Sequence, residues 1–365
     1  MIFLHLLRGS TFNNISELYR ACGIDIRYYP RSWYIGIRSG LASPLNLLEK
    51  KMYDMKSSKL KVNSPVFILG HWRSGTTLLH YILSNDQQFG FLTTQHVTFP
   101  HRYLSLTRHI EKIFHKIIPP QGRRFDAMKV GPLSPQEEEF ALACSSKFSY
   151  YHRFYFPRNY RDFYRYLTFE GVESSEIASW KESVLGLYEK ITYSSKNENM
   201  ILLSKNPPFT GKIKYLLELF PDAKFVHIYR NPYTTFLSSV RLFRSLTNML
   251  SLQTIQENMD YEESVFDSYT QLMEAFIAQK SLIPEKNIIE IKFEDLEKEP
   301  FREIERLYSD LNLTCSADAK ERIKKYIASV QSYKKNSYLL SEELAEKIYS
   351  RLSFTIDRWG YSPDI

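Results

Sequence analysis

The sequence predicts an α/β fold: an open, mostly parallel sheet with helices on both faces. Three observations carry that expectation. Four short runs rich in apolar residues, at 66–69, 201–203, 225–229 and 288–293, have the length and character of strands in a buried parallel sheet. Between and after them apolar residues recur at helical spacing, so strands alternate with helices. Turn-forming residues close the runs, as Gly70, Pro207-Pro208 and Pro232 do. The 365 residues suffice for a large core, and 43% hydrophobic with 24% charged residues excludes a mostly disordered chain.

Taken in order, residues 1–60 read as a helical N-terminal arm or cap. Within them Tyr28-Tyr29-Pro30-Arg31-Ser32-Trp33-Tyr34 is aromatic and proline-interrupted, which argues against one regular helix there. The strand at 66–69 ends at Gly70, and Leu78, Leu79, Ile82 and Leu83 give the helix at 76–84 one apolar face. Residues 100–125 hold the densest basic patch, from His101 and Arg102 to Arg123 and Arg124, read as a solvated helix face. Glu137-Glu138-Glu139 opens a helix whose first-turn carboxylates suit the positive end of its dipole. Residues 148–169 are crowded with Phe, Tyr, His and Arg, a composition that suits core packing or an acceptor surface equally.

The strand at 201–203 leads through Ser204-Lys205-Asn206-Pro207-Pro208 to a helix bearing Ile213, Leu216, Leu217 and Phe220, stopped by Pro221-Asp222. After the strand at 225–229, Asn231 is expected to cap a helix that Pro232 opens, with Phe236, Val240 and Phe243 on one face. A helix at 264–279, the strand at 288–293 and two helices marked by Ile323 and Ile348 complete a domain of residues 61–365. Its largely helical insertions fall at about 100–200.

Composition narrows the function classes. Lys plus Arg is 48 against 41 Asp plus Glu, a net +7 that suits anionic small molecules or a membrane surface. No basic block is long enough for a nucleic-acid tail, so no nucleic-acid partner is expected. Cys22, Cys144 and Cys315 lie far apart with no Cys-x-x-Cys, which points to reduced thiols and to no metal site. The apolar start is ended by Arg8 and Gly9, too early for a signal peptide, and no run approaches a membrane span. A cytoplasmic protein is expected. The apolar start and the basic segment around 108–124 leave room for peripheral membrane contact and a substrate delivered there. The oligomeric state is not legible.

The segment that carries chemistry is Gly70-His71-Trp72-Arg73-Ser74-Gly75-Thr76-Thr77, between the first strand and its helix. Its frame, G-x-x-x-x-G-x-T, is that of a nucleotide phosphate loop, but Thr76 stands where the lysine of a nucleoside-triphosphate loop belongs. Backbone N–H groups and a helix N-terminus still favour an anion, and Arg73 adds charge-assisted bonds. The lysine that reaches the outer phosphates of ATP is missing. A second anion element is Arg230, directly after a strand, with Ser238 eight residues on in the next helix. Strand ends are the ligand side of an open α/β sheet, so two separated anion elements point to a nucleotide phosphorylated at both ends.

With these two elements the sequence resembles the sulfotransferases that use 3′-phosphoadenosine 5′-phosphosulfate (PAPS), whose bacterial members commonly carry R-S-G-T-T, here Arg73-Ser74-Gly75-Thr76-Thr77. The resemblance implies a P-loop-like three-layer fold. It implies that this loop binds the 5′-phosphosulfate while Arg230 and Ser238 bind the 3′-phosphate, with Asn231 replacing the commoner aspartate. Residues 131–142 are similar to an acidic segment of the bacterial branch, Ser204-Lys205-Asn206-Pro207 to a K-S-P element, and Phe293-Glu294-Asp295-Leu296 to a recurring Y-E-D-L.

The implied reaction is direct sulfuryl transfer to an acceptor hydroxyl, with 3′-phosphoadenosine 5′-phosphate (PAP) as product and no metal required. Fixed cations stabilise charge on the leaving phosphate; Arg73 is the first candidate and Lys205, at a strand end, the second. The general base is sought among His96, His101, Glu137, Glu138 and Glu139, with Glu138 favoured and His96 beside it. Lys334 and Lys335 stand where many sulfotransferases close a basic loop over the 3′-phosphate, although the familiar Arg-Lys-Gly triplet is absent. The acceptor, lipidic, phenolic or glycan, is not legible. Two other readings stand beside this one: a nucleotide-dependent small-molecule kinase on a related loop fold, which the missing lysine disfavours, and a non-catalytic membrane-peripheral binding protein.

Overall fold

The computed structural model describes residues 5–54, 62–104, 121–122, 129–195, 197, 199–330 and 338–363. The chain forms two compact units. One comprises Ser64–Phe89, Leu203–Arg244 and Asp260–Ile365; the other comprises Met1–Asn63, Gly90–Leu202 and Ser245–Met259.

The strands in chain order are β1 (Val66–Leu69), β2 (Phe89–Gly90), β3 (Gln121–Gly122), β4 (Lys129–Val130), β5 (Ile201–Lys205), β6 (Lys224–Tyr229) and β7 (Ile288–Lys292). Five of them form one sheet in the order β2-β5-β1-β6-β7. β1 pairs parallel with β5 and β6, and β6 pairs parallel with β7. The α/β class is therefore as expected, a mostly parallel sheet flanked by helices. β1 is buried along its whole length, as a central parallel strand requires, whereas β7 alternates between buried and half-buried residues. Phe67 anchors the core, stacked on Phe225 at 5.5 Å and edge-on to Phe209 at 6.0 Å.

Connectivity fixes where a ligand sits. From β1 the chain reaches β5 on one side, and from β5 it crosses to β6 on the other. The end of β1 is thus the switch point at which open α/β sheets form their crevice. Register aligns the functional strand ends: Ile68 stands opposite both Lys205 and Val226, Leu69 opposite His227, and Tyr229 opposite Lys292. Lys205 therefore ends β5 beside β1, and Arg230 emerges level with Phe293.

Local chemistry accounts for the element ends. Asn231 caps the helix Pro232–Leu250, its Oδ1 accepting from Tyr233 N at 2.9 Å, as the sequence predicts. The helix expected at 264–279 begins earlier, as Tyr261–Gln279, because the Asp260 carboxylate caps it through Glu263 N at 2.9 Å. The fourth strand ends at Lys292, and Phe293 already opens the helix Phe293–Lys298.

The other unit is mostly helical, with β3 and β4 as a short antiparallel pair. One expectation is corrected there. The proline-interrupted stretch does not break a helix: it opens the helix Tyr29–Asp54, because Pro30 sits in the first turn, where a missing N–H leaves no hydrogen bond unmade; a second proline, Pro44, lies inside the same helix. Glu138 and Glu139 stand in the first turn of the helix Glu138–Ser145, as expected, and both are buried, 1% exposed. Glu139 Oε1 accepts from Ser149 Oγ at 2.7 Å and from Tyr150 N at 3.1 Å. The aromatic stretch around 150–164 packs about a buried arginine: the Arg153 guanidinium lies 5.0–5.7 Å from the rings of Tyr150, Phe154, Tyr160 and Tyr164. Most of the basic patch, including Arg108 to Lys116, Arg123 and Arg124, lies outside the described residues. Of the apolar start, Leu7 is fully buried in the turn Leu6–Gly9, and Ile2, Phe3 and Leu4 lie outside the described residues.

Candidate functional site

The site is built on the loop between β1 and the helix Thr76–Leu83. Gly70 leaves the strand at φ 145° and Gly75 enters the helix at φ 101°. Gly70 N donates to Thr210 Oγ1 at 2.8 Å, so the turn Pro207–Gly211 after β5 holds the start of the loop. Ser74 Oγ donates to His71 O at 2.8 Å and Ser239 Oγ to Trp72 O at 3.2 Å. These bonds use loop carbonyls. The first amides of the helix have no carbonyl ahead of them, the usual arrangement for receiving an anion. Arg73 itself sits at φ 70°, a left-handed conformation that a non-glycine residue adopts only under local constraint.

One contact joins the two anion elements read from the sequence. Arg73 Nε donates to Ser238 Oγ at 2.8 Å, and Arg230 Nη1 stands 3.5 Å from Arg73 O. Arg230 is positioned from below by Phe293, with its guanidinium 4.4 Å over the ring centroid. Burial lowers the Arg230 pKa from its ordinary value and Arg73 adds to this, against the opposing fields of Glu294 and Glu297. An arginine remains a cation regardless, so the site concentrates positive charge at one strand end. Lys205 is buried at the end of β5, not a solvated surface lysine. Ser74 and Thr76 are buried and Thr77 is half-buried.

Beside Arg230 a cavity of about 410 Å³ opens, lined by Asn231, Lys292, Phe293, Glu294 and Tyr361 among others. Glu294 braces this wall: Oε1 accepts from Asn231 N at 3.0 Å and Oε2 from Tyr361 OH at 2.7 Å. Asn231 Nδ2 in turn donates to Ser362 O at 3.1 Å. Glu294→Gln removes a charged acceptor shared by two donors. It is expected to lower unfolding free energy by about 1.5–3 kcal/mol, read by urea titration; a change within error would deny Glu294 this role.

His71 lies inside the loop with its Nδ1 2.9 Å from Trp72 O; the carbonyl partner assigns the proton to Nδ1. Burial holds the imidazole pKa down from 6.5 to about 3. Because the folded value is depressed, the stabilising contribution is present above 6.5 and is lost as pH falls toward 3. The loss is about 1.4 kcal/mol per pH unit for this one group. His71→Gln is expected to flatten the pH slope of unfolding free energy below pH 6.5 by about one proton. Equal slopes for the two proteins would contradict the buried neutral ring.

The candidate bases belong to the other unit. Glu138 opens the helix Glu138–Ser145 and receives Tyr188 OH on Oε1 at 3.3 Å. His96 caps its own short helix, Nδ1 accepting from Thr93 N at 3.2 Å, and its ring lies 4.4 Å from that of Tyr103. Burial lowers its pKa to about 4. Tyr151 OH donates to Glu137 Oε2. Lys334 and Lys335 lie outside the described residues. Sequence reasoning missed Thr210 and Tyr361. A threonine after a double proline and a tyrosine near the chain end carry no motif, and only tertiary pairing marks them.

Comparison with known proteins gives the family to which this fold and loop belong. The model of the sulfotransferase family matches residues 65–317. Omega-hydroxy-beta-dihydromenaquinone-9 sulfotransferase Stf3 of Mycobacterium tuberculosis (strain CDC 1551 / Oshkosh) is 32% identical over 321 residues, covering 87% of this chain and 81% of that protein. The Stf3 protein of Mycobacterium bovis matches equally. Among solved structures, sulfotransferase STF9 from Mycobacterium avium superposes with a TM-score of 0.67 at 16% identity, over 97% of both chains. Sulfotransferase STF1 from Mycobacterium tuberculosis H37Rv gives 0.65 at 18% identity, over 95% of this chain and 94% of that one. At those identities the two structures speak for the fold alone. On the family model and the 32% relative, this chain belongs to the sulfotransferase family.

Proposed function

We propose that the chain is a PAPS-dependent sulfotransferase of the bacterial R-S-G-T-T branch, acting on a hydroxyl of a lipidic quinol or similar apolar alcohol. The observation that carries the reading is the bond from Arg73 Nε to Ser238 Oγ, with Arg230 against the Arg73 carbonyl. It draws the loop and the second anion element together at the switch point of the sheet. The residues fit an adenosine bearing two anionic ends: loop amides, two guanidinium groups, a hydroxyl and the Lys205 ammonium. The quinol is supported by the relative's name, which describes a hydroxylated dihydromenaquinone as its acceptor.

The donor supplies an electrophilic sulfur: the acceptor oxygen bonds to it while the bond to the bridging phosphate oxygen breaks, and PAP leaves. Arg73 and Lys205 hold the charge that gathers on the leaving oxygens, an electrostatic contribution that needs no rearrangement during the step. Ser74, Gly75, Thr76 and Thr77 bind the 5′-phosphosulfate, and Arg230 and Ser238 hold the 3′-phosphate. Glu138 takes the acceptor proton. It is preferred to His96 because the Nδ1 lone pair of His96 already accepts the Thr93 amide.

The test is calorimetry with PAP and, separately, with ATP and magnesium, followed by transfer from labelled PAPS to hydroxylated quinols and a lipid extract read by mass spectrometry. PAP is expected to bind at least about tenfold tighter than ATP, a difference of about 1.4 kcal/mol, and label to appear on an apolar alcohol. Tighter binding of ATP with magnesium would favour a kinase.

A further inference from the structure

The helix Tyr29–Asp54 is inverted relative to an ordinary surface helix. Its buried face includes Ser32, Ser39 and Glu49, along with Ile35, Ala42 and Tyr53. Its outward face carries Trp33, Ile37, Leu41, Leu45, Leu48 and Met52, spaced by three or four residues, so they form one stripe. At 1.5 Å per residue the stripe is about 28 Å long. Exposure is 69% for Trp33, 62% for Ile37 and 77% for Leu41. Helices of globular proteins place such residues inward, and a continuous exposed stripe of this length marks a binding surface.

The charges around the stripe are mostly cations, with Asp25 and Asp54 bordering the segment and Asp25 paired with Arg158 at 2.8 Å. Between Ile26 and Tyr53 the only acidic residue is Glu49. It is 2% exposed and pairs with Lys190 at 3.3 Å, so no carboxylate of this segment faces outward. Arg27 at one end and Lys50 and Lys51 at the other are exposed. Among the described residues no helix is long and apolar enough to cross a membrane. An apolar stripe flanked by cations, with an exposed tryptophan, is the composition of a helix lying in a lipid interface.

We propose that this outward face docks the protein on an anionic membrane surface, with the Trp33–Leu41 portion buried among acyl chains and the terminal cations at the headgroups. A second copy of the chain is the less suitable occupant. Arg27 at one end and Lys50 with Lys51 at the other lie on exposed helix positions, so either a parallel or an antiparallel pairing brings exposed cations together. The inference goes beyond the transfer chemistry, since binding needs neither donor nor acceptor.

The experiment is co-sedimentation of the full chain with phosphatidylcholine vesicles containing about 30% phosphatidylglycerol, and with pure phosphatidylcholine vesicles. The chain has four tryptophans: Trp72 and Trp180 are buried, Trp359 is half-buried, and Trp33 is exposed. Trp33 emission is therefore expected to shift to the blue on binding and to be quenched by brominated acyl chains. Trp33→Phe should remove the shift while binding persists. The triple variant Trp33→Glu, Ile37→Glu, Leu41→Glu is expected to bind roughly thirty-fold more weakly or worse, with unchanged circular dichroism because these side chains lie outside the core. Lys50→Glu with Lys51→Glu is expected to weaken binding to the anionic vesicles alone. Three results would overturn the proposal: no vesicle binding by the native chain, equal binding by the triple variant, or a dimer in sedimentation velocity that the triple variant dissolves while vesicle binding is absent.

Discussion

Arg73→Ala is expected to lower kcat/KM for sulfuryl transfer by roughly three orders of magnitude, the scale reported for removing one preorganised donor at a developing anion. The same variant is expected to fold with a melting temperature within a few degrees of the native chain, because the half-buried side chain contributes little core area. A stronger version separates activity from stability altogether. Arg73 holds φ 70°, which costs a non-glycine residue on the order of 1 kcal/mol. Arg73→Gly removes that strain together with the guanidinium, so it should be as inactive as the alanine variant while unfolding at equal or higher urea. Arg73→Lys keeps the charge but has no Nε–H to give Ser238, and intermediate activity is expected. Near-native turnover by the alanine variant would remove the loop from the reaction.

What the sequence discloses here follows from the range of the interaction that encodes it. β1, its loop and the helix Thr76–Leu83 are legible because an apolar run, two glycines and a helical apolar face are neighbours in the chain. The Asn231 cap is legible for the same reason, its partner lying two residues away. The bond between Arg73 and Ser238 spans 165 residues, so the sequence yields both as anion ligands on separate phosphates but not as partners. Thr210, which holds Gly70 from 140 residues away, leaves no local trace. Burial of charge is equally hidden: acidic residues in a first helical turn have the same pattern whether they face water or, like Glu139, accept from Ser149 and Tyr150 inside the fold. The proline argument against a helix at 28–34 failed because Pro30 lies in a first turn, outside the helix interior to which the rule applies.

The second large effect is on stability, and it distinguishes the two loop glycines. At Gly70, φ 145°, a β-carbon would collide with the carbonyl oxygen of Ile228 and stand 2.8 Å from Ser74 Oγ. The serine can turn away, but the carbonyl belongs to β6, which is paired on one side to β1 and on the other to β7 and cannot retreat. Gly70→Ala is therefore expected to cost about 3–5 kcal/mol, combining backbone strain with overpacking. At Gly75, φ 101°, the obstacle is a side chain: a β-carbon would overlap Phe293 Cδ2 and lie 2.8 Å from its Cε2. Gly75→Ala is expected to cost about 2–4 kcal/mol, and Phe293→Ala in the same chain should relieve its steric share, giving a coupling energy of about 1–2 kcal/mol in a double-mutant cycle. The backbone share stays. Ile228→Ala should give Gly70→Ala no such relief, because it leaves the carbonyl in place. If urea titration found both pairs equally coupled, the loop would be yielding through its backbone, and the close fit of β1, β6 and Phe293 would not be what holds Arg73 beside Ser238.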